Sequence, residues 1–280
     1  MIKDILRARQ AFSEVAGLED PYFSLDRAAL SIALEEYPQL DVEEYLHRLD
    51  TLAARVEVLA GQDRKCQNLL DCLNQILFVE EGLRGNTEDY YDPRNSFLNE
   101  LLDRKQGIPI SLSVVYIEVA RRLNFPLHGV GFPGHFIVKC IDGDRELLID
   151  PFNGGHLLTL KNCQELLDRV YGGSVAVQPS FLQVMDKKAI ILRMLFNLKG
   201  IYYQKEEYAK ALSVVDRILI LSPGIPSEIR DRGLLYMQTS LFAKALADLE
   251  YYLVNTTSPE DSSNIQGHIK TLRSIVSGMN

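Results

Sequence analysis

An internal repeat of 34 residues constrains the fold of this 280-residue chain more than any other feature of its sequence. The segment Tyr208–Leu212 (YAKAL) recurs as Phe242–Leu246 (FAKAL). Self-similarity at this period is typical of arrays in which each repeat is one helical pair and neighbouring repeats stack to bury a shared core. We therefore expect residues 185–280 to form antiparallel helix pairs, with Ala211 and Ala245 at equivalent close contacts between helices.

The two copies resemble the tetratricopeptide repeat. The signature positions of that repeat fall on Leu195, Leu198, Tyr202, Ala211, Val215, Ile218 and Pro223 in the first copy, and on Ile229, Gly233, Tyr236, Ala245, Leu249 and Tyr252 in the second. Arg232 and Thr257 depart from the usual Leu and Pro, so the second copy is the weaker match. A capping helix is expected over residues 265–277. Stacked tetratricopeptide helices form a concave surface that commonly holds a peptide or partner protein, so the resemblance implies such a partner.

Helical spacing of apolar residues also dominates the first hundred residues. Residues 41–61 carry a capping-box pattern at one end and a glycine at the other, which predicts one helix between them. Further on, Pro109 suits the first turn of a buried helix whose apolar stripe runs from Leu112 to Leu123. Ser111 then lies in that first turn or caps it, where free backbone N–H groups favour negative charge.

The segment from residue 127 to residue 150 changes to the alternating spacing of strands. Asp142-Gly143 is a strong signal for a two-residue hairpin turn, and with that turn the numbers of directly opposed residues sum to 285. The predicted pairs are Phe136 with Ile149 and Val138 with Leu147 on a core face, and Lys139 with Glu146 and His135 with Asp150 on the other. The Cβ atoms of His135 and Asp150 are then expected about 4.5–5.5 Å apart, close enough for the carboxylate to hold the imidazole.

Four strings together resemble the SirB-type transglutaminase-like proteins, bacterial chains that join this core to C-terminal tetratricopeptide repeats. The strings are GIPISL (107–112), VARRL (119–123), GFPGHF (131–136) and IDPF (149–152). In that superfamily a nucleophilic Cys begins a helix, a His on one hairpin strand accepts its proton, and an Asp on the next strand orients the His. The resemblance implies that His135 and Asp150 match this His and Asp.

The thiol nucleophile of the superfamily is missing from the matching helix start. At that position the sequence has Pro109, Ile110 or Ser111. The cysteines of the chain lie elsewhere, at Cys66, Cys72, Cys140 and Cys163. We expect these four thiols to be reduced and packed rather than reactive, and we expect no thiol-dependent activity.

Two functional hypotheses remain. In the first, the transglutaminase-like domain has lost catalysis and acts with the repeats as a protein-interaction or regulatory module. In the alternative, the protein is an amide or ester hydrolase or acyltransferase with Ser111 as nucleophile, His135 as base and Asp150 as orienting acid, and helix-start amides as oxyanion donors. Ser111 also suits a simple capping role. The partner, the substrate and the oligomeric state are left open.

Composition narrows the range of ligands. With 38 acidic and 30 basic side chains, the formal net charge of -8 opposes a phosphate-binding surface, so no nucleic acid is expected.

No stretch approaches the roughly 18 apolar residues of a membrane span and the N-terminus has no apolar signal core, so we expect a cytoplasmic protein that does not bind membranes. A metal site built from His128, His135, Asp150 and His156 would fit no familiar ligand spacing, and we predict neither a metal nor a cofactor.

These patterns predict an α+β, mostly helical protein. Residues 1–184 are expected to form N-terminal helices and a transglutaminase-like (papain-like) core with a small antiparallel sheet. Residues 185–280 are expected to form the α-α tetratricopeptide-repeat domain.

Overall fold

A computed structural model describes residues 2–256 and 261–279; Thr257 therefore lies outside the described residues. The chain divides into two compact units, 1–194 and 195–280, and the division falls inside one long helix. The boundary that the sequence predicts, between residues 184 and 185, falls shortly before this helix and remains a proposal. None of the described helices combines the length and the apolar character needed to cross a membrane.

Helices make up most of the first unit. They are α1 (Ile2–Ala16), α2 (Leu25–Ala33), α3 (Val42–Ala60), α4 (Cys66–Asn74), α5 (Leu98–Arg104), α6 (Pro109–Arg122) and α7 (Leu160–Tyr171). The predicted N-cap of α3 is confirmed, since Oδ1 of Asp41 accepts hydrogen bonds from the backbone N–H groups of Glu43 and Glu44 at 3.0 and 3.3 Å. The helix ends before Gly61, whose φ of +59° lies in the left-handed region that glycine adopts easily.

Helix α6 is the buried centre of this unit. Pro109 occupies its first helical position, as predicted, and Ile108 before it is extended. All residues from Pro109 to Ala120 are buried, because α6 is packed against α2, α3 and the sheet strands described next. This burial holds the start of α6 in one place.

Four antiparallel strands form the sheet, and each strand pairs with the next one along the chain. They are β3 (Leu127–Val130), β4 (Ile137–Asp142), β5 (Arg145–Asp150) and β6 (His156–Leu158), and a separate short parallel pair joins β1 (Arg84–Gly85) to β2 (Gln106–Gly107). Val138 and Ile149 are fully buried on the predicted core face. On the other face, Ile137 packs with Cys163 and Leu167 of α7, so both faces are covered. The alternating sequence pattern did not predict this second buried face.

The hairpin register is two residues away from the predicted one. Asp142 pairs with Arg145, so the numbers of opposed residues sum to 287 and the turn is Gly143-Asp144. Gly143 has a φ of +60°, which fits the first central position of a type II′ turn, whereas the prediction placed it second. Because the shift is two residues, every side chain keeps its predicted face, but the predicted directly opposed pairs are wrong.

The second unit contains only helices in its described part. They are the end of α8 (Lys187–Gln204), then α9 (Tyr208–Leu221), α10 (Pro226–Gln238), α11 (Phe242–Asn255) and α12 (Ser262–Met279). Ala211 and Ala245 are fully buried, and α12 packs Ile265 and Leu272 against the core around Ala245, as expected of a capping helix. A Cβ atom on Gly233 would lie 2.7 Å from Cδ2 of Leu249, so α10 and α11 approach closely there. The predicted α+β, mostly helical fold class is confirmed.

Candidate functional site

The start of α6 presents Ser111 inward rather than towards a cleft. Ser111 is fully buried, and its Oγ donates a hydrogen bond to the backbone carbonyl of Asn95 at 2.6 Å. The same Oγ accepts a hydrogen bond from the backbone N–H of Ile108 at 3.1 Å. Gly107 gives room for this arrangement, since a Cβ atom there would lie 2.7 Å from Oγ of Ser111. The hydroxyl therefore caps α6 and binds the short 3-10 helix Pro93–Ser96, which precedes α5.

Two buried asparagines stabilise the loop that leads into this short helix. Nδ2 of Asn95 donates to the backbone carbonyls of Asp89 and Tyr90 at 2.7 and 3.3 Å. Nδ2 of Asn86 donates to Oδ1 of Asn95 at 3.1 Å. Satisfied polar networks of this kind rigidify buried regions, so the loop and the start of α6 behave as one structural element.

His135 and Asp150 are brought together, although not as a directly opposed strand pair. His135 lies just before β4, and Asp150 is the last residue of β5, where its backbone pairs with His156 of β6. Nε2 of His135 lies 3.0 Å from Oδ1 of Asp150, and both side chains are nearly buried. The predicted side-chain contact is thus present, while its predicted backbone register is wrong.

The remaining partners of Asp150 complete its hydrogen bonding. Oδ1 also accepts from the backbone N–H of Phe152 at 3.1 Å, and Oδ2 accepts from Nδ2 of Asn153 at 2.7 Å. Burial opposes the charge of this carboxylate, but the hydrogen bonds from His135 and Asn153 outweigh it and lower the pKa of Asp150. An ionised Asp150 can therefore hold the imidazole in a fixed orientation.

The three predicted catalytic residues do not form a continuous hydrogen-bonded chain. Both Ser111 and His135 belong to the described residues, and no hydrogen bond joins them. The proton that a nucleophilic Ser111 would give to His135 is instead directed at the carbonyl of Asn95. The structure therefore pairs His135 with Asp150, as a triad requires, but Oγ of Ser111 is not hydrogen-bonded to the imidazole.

None of the four thiols replaces the missing nucleophile in an activated form. All four cysteines are buried, and Sγ of Cys66 lies 3.0 Å from Sγ of Cys140. Burial raises the pKa of Cys72 and Cys163, and burial together with the Cys66 thiol raises that of Cys140 to about 12. Reactive cysteines are partly exposed and have lowered pKa values, so the burial of all four thiols and the raised pKa values of Cys72, Cys140 and Cys163 are properties of packed side chains.

The metal-ligand set weighed from the sequence is not assembled. Across residues 2–256 and 261–279, no group of three or more His, Cys, Asp and Glu side chains is arranged to hold a metal ion. His128 lies on β3 opposite Lys139, whereas His156 lies on β6 opposite Asp150.

Aromatic side chains border the His135–Asp150 pair on one side. The rings of Phe152 and His135 meet edge to face, with centroids 5.9 Å apart, and Tyr90 meets Phe152 in the same way at 6.2 Å. Gly85 permits this packing, because a Cβ atom there would lie 2.5 Å from the Phe152 ring. A separate cavity of about 600 Å³ borders Asp150 and is lined by polar side chains that include His156, Asn162, Glu165 and Arg169.

Two residues that contact this region from distant parts of the chain, Asn95 and Arg193, were not identified from the sequence. Asn95 lies 16 residues before Ser111, and its contact with Ser111 is through a backbone carbonyl, which leaves no side-chain signal. Nη2 of Arg193 donates to the carbonyls of Phe132 and His135, 61 and 58 residues earlier in the chain. Only the IDPF string pointed to Phe152, through the resemblance.

Two protein families match successive parts of the chain. Residues 43–196 match the transglutaminase-like superfamily, and residues 198–269 match the tetratricopeptide repeat. A UPF0162 protein of Xylella fastidiosa (strain Temecula1) is 38% identical over 268 residues, which are 93% of this chain and 94% of that protein. A UPF0162 protein of Vibrio cholerae is 32% identical over 80% of this chain and 83% of that protein. The mouse F-box only protein 21 is 34% identical over 46% of this chain and 21% of that protein.

Proposed function

Because the chain belongs to the transglutaminase-like superfamily and to the UPF0162 proteins, and also matches the tetratricopeptide repeat, we propose that it is a non-catalytic member that acts as a protein-interaction or regulatory module. In this proposal it works in the cytoplasm. Its partner is a protein or peptide, not a nucleic acid or a membrane, and the repeat domain holds that partner.

The observation that carries the non-catalytic part of the proposal is the hydrogen bonding of Ser111. A serine triad needs Oγ to give its proton to the base, and a serine hydroxyl without that contact is a poor nucleophile. Oγ of Ser111 donates to Asn95 and accepts from Ile108, and the side chain is fully buried. This arrangement favours a structural hydroxyl over the alternative with Ser111, His135 and Asp150 as catalytic residues.

A face of α8 in the second unit supports partner binding. Phe196 and Tyr203 lie seven residues apart on one side of the helix and are 39% and 43% exposed. Lys199 lies between them, with Nζ 5.3 Å from the Phe196 ring centroid, and forms ion pairs with Glu228 and Asp231 of α10. We name Phe196, Lys199 and Tyr203 the repeat face. Exposed aromatic side chains beside ordered charges are typical of protein-binding surfaces.

The test compares proteins captured from a cytoplasmic extract by three immobilised full-length chains. These are the native chain, the double variant Phe196→Ala/Tyr203→Ala, and the control Val254→Ser, which changes an 83% exposed side chain of α11. A partner should be captured by the native chain and by the control but not by the double variant. In calorimetry, the purified partner should bind the native chain and the control more tightly than the double variant. Equal capture by all three chains would contradict binding through the repeat face.

A further inference from the structure

Arg193 has a fixed position beside the His135–Asp150 pair, in the unit formed by residues 1–194. Nη2 donates hydrogen bonds to the backbone carbonyls of Phe132 and His135 at 2.9 and 2.8 Å. The guanidinium also lies over the ring of Phe136, with Cζ 5.8 Å from its centroid. Three contacts therefore hold the guanidinium before any ligand arrives, which lowers the entropic cost of binding.

This guanidinium has no carboxylate partner among the described residues. Arg122, which is also largely buried, shows the usual arrangement, since it forms ion pairs with Asp26 and Asp50. A partly buried charge without a counter-charge is unfavourable, and proteins rarely retain one. Asp150 does not fill this role, because its oxygens accept from His135, Phe152 and Asn153 instead.

Free hydrogen-bond donors remain on Arg193. Both hydrogens of Nη2 are used, whereas the two on Nη1 and the one on Nε have no acceptor among the described residues. Neither Nη1 nor Nε is among the fully buried unsatisfied atoms, so solvent reaches them. An incoming acceptor can therefore contact the guanidinium directly.

Aromatic side chains lead from the surface to this region. Tyr91 and Tyr90 meet edge to face at 5.3 Å, and Tyr90 meets Phe152, which in turn meets His135. Tyr91 is 59% exposed and Tyr90 is 37% exposed. We name Tyr91, Tyr90 and Phe152 the aromatic run. The run ends at the ring of His135, and the backbone carbonyl of the same residue accepts a hydrogen bond from Arg193, so the run and the free charge meet at His135.

We propose that Arg193 and the aromatic run form a peptide-binding site, in which the guanidinium binds a Glu or Asp side chain and the aromatic run packs against a neighbouring aromatic residue of the peptide. The uncompensated cation selects an anion, and the aromatic rings beside it select a carboxylate that has apolar neighbours. The proposal rests on the proposed non-catalytic role of the transglutaminase-like unit. It does not depend on binding by the repeats, so either proposal can fail without the other.

The experiment titrates the full-length chain, labelled with nitrogen-15, with two acetylated and amidated pentapeptides. One has the sequence Gly-Phe-Glu-Phe-Gly, and the matched peptide has Gln in place of Glu. With the Glu peptide we expect saturable shifts of the Arg193 Nε–H signal and of the Tyr90 amide signal. The Gln peptide should bind at least about tenfold more weakly, because one charge-assisted hydrogen bond is lost. Equal binding of the two peptides, or no saturable shift up to millimolar concentration, would overturn the proposal.

Protein variants give a second comparison. Arg193→Gln should abolish the preference for Glu over Gln, whereas Arg145→Gln, a control at an exposed arginine of β5 without an ion pair in the described residues, should keep it. If Arg193→Gln does not fold, Tyr90→Ala replaces it and should weaken both peptides. A peptide can also supply a carboxylate at its C-terminus. A Gln peptide with a free C-terminal carboxylate tests this second source of negative charge. Binding of that peptide alone would contradict the assignment to an acidic side chain.

Discussion

Oγ of Ser111 lies 2.6 Å from the backbone oxygen of Asn95, to which it donates its hydrogen bond. This contact joins the first turn of α6 to the 3-10 helix Pro93–Ser96 before α5, across 16 residues of sequence. The hydroxyl hydrogen lies in this hydrogen bond, so it is not directed at a base, as the hydrogen of a catalytic serine must be. The hydroxyl therefore stabilises the fold, and its removal should affect stability rather than chemistry.

Ser111→Ala should lower the free energy of unfolding by about 1–3 kcal/mol, because the carbonyl of Asn95 and the N–H of Ile108 lose a buried partner. Ser113→Ala is the matched control. Ser113 is equally buried on the same helix, but its Oγ has no hydrogen-bond partner among the described residues, so its removal should be neutral or stabilising. Urea unfolding of both variants measures the difference, and equal losses would contradict the capping role.

His135→Ala should raise the pKa of Asp150. The carboxylate stays buried but loses one of the hydrogen bonds that keep its pKa below the ordinary value of 3.8. A lowered pKa contributes stability above pH 3.8 that is lost as the pH falls, so the variant should unfold at a higher pH on acidification. Carbon-13 NMR of the Asp150 carboxyl follows the titration directly. His128→Ala is the control, and an identical Asp150 titration in both variants would contradict the pairing.

Glu118 should make stability depend on pH near neutrality. Burial and the nearby Asp26 raise the pKa of Glu118 to about 7, against the opposing effect of Arg121. A raised pKa contributes stability at low pH that is lost as the pH rises from 4.5 towards 7, by up to about 3 kcal/mol. Burial opposes the charge of Asp26, but hydrogen bonds from Ser24 and Arg122 lower its pKa to about 2, so Asp26 does not titrate in this range.

The variant Glu118→Gln should remove this dependence. Urea unfolding between pH 5 and pH 8 should show a free energy of unfolding that falls with pH in the native chain and changes much less in the variant. Glu88→Gln, at an exposed position, is the control and should keep the native slope. A native slope in Glu118→Gln would assign the pH dependence to another group.

Ala211→Leu should overpack the contact between repeat helices and cost about 1–3 kcal/mol of stability. Ala211 is fully buried at the position that the repeat pattern reserves for a small side chain. Ala209, two residues earlier in α9, is exposed, so Ala209→Leu should leave the melting temperature nearly unchanged. Equal melting temperatures for Ala211→Leu and the native chain would count against this helix contact.

The sequence predicted those features that depend on local periodicity. The start of α6 at Pro109, the burial of that helix and the repeat helices with Ala211 and Ala245 are all found in the structure. The hairpin was predicted with the correct faces but with the wrong register, because the turn signal does not say which central position Gly143 takes.

The candidate site was only partly predictable. The contact between His135 and Asp150 was predicted, and the structure contains it. The partner of Ser111 is a backbone carbonyl, and Arg193 reaches the site from a helix assigned by the sequence to the repeats. Such contacts between distant segments depend on tertiary packing and leave no spacing pattern in one sequence.

Turnover of a broad panel of amide and ester substrates tests whether the protein is non-catalytic. The assay compares the native chain, Ser111→Ala, and the native chain alkylated at its thiols, with folding of each checked by circular dichroism. We predict no turnover above the uncatalysed rate in all three samples. Turnover in the native chain that Ser111→Ala or alkylation abolishes, with folding preserved, would contradict a non-catalytic role.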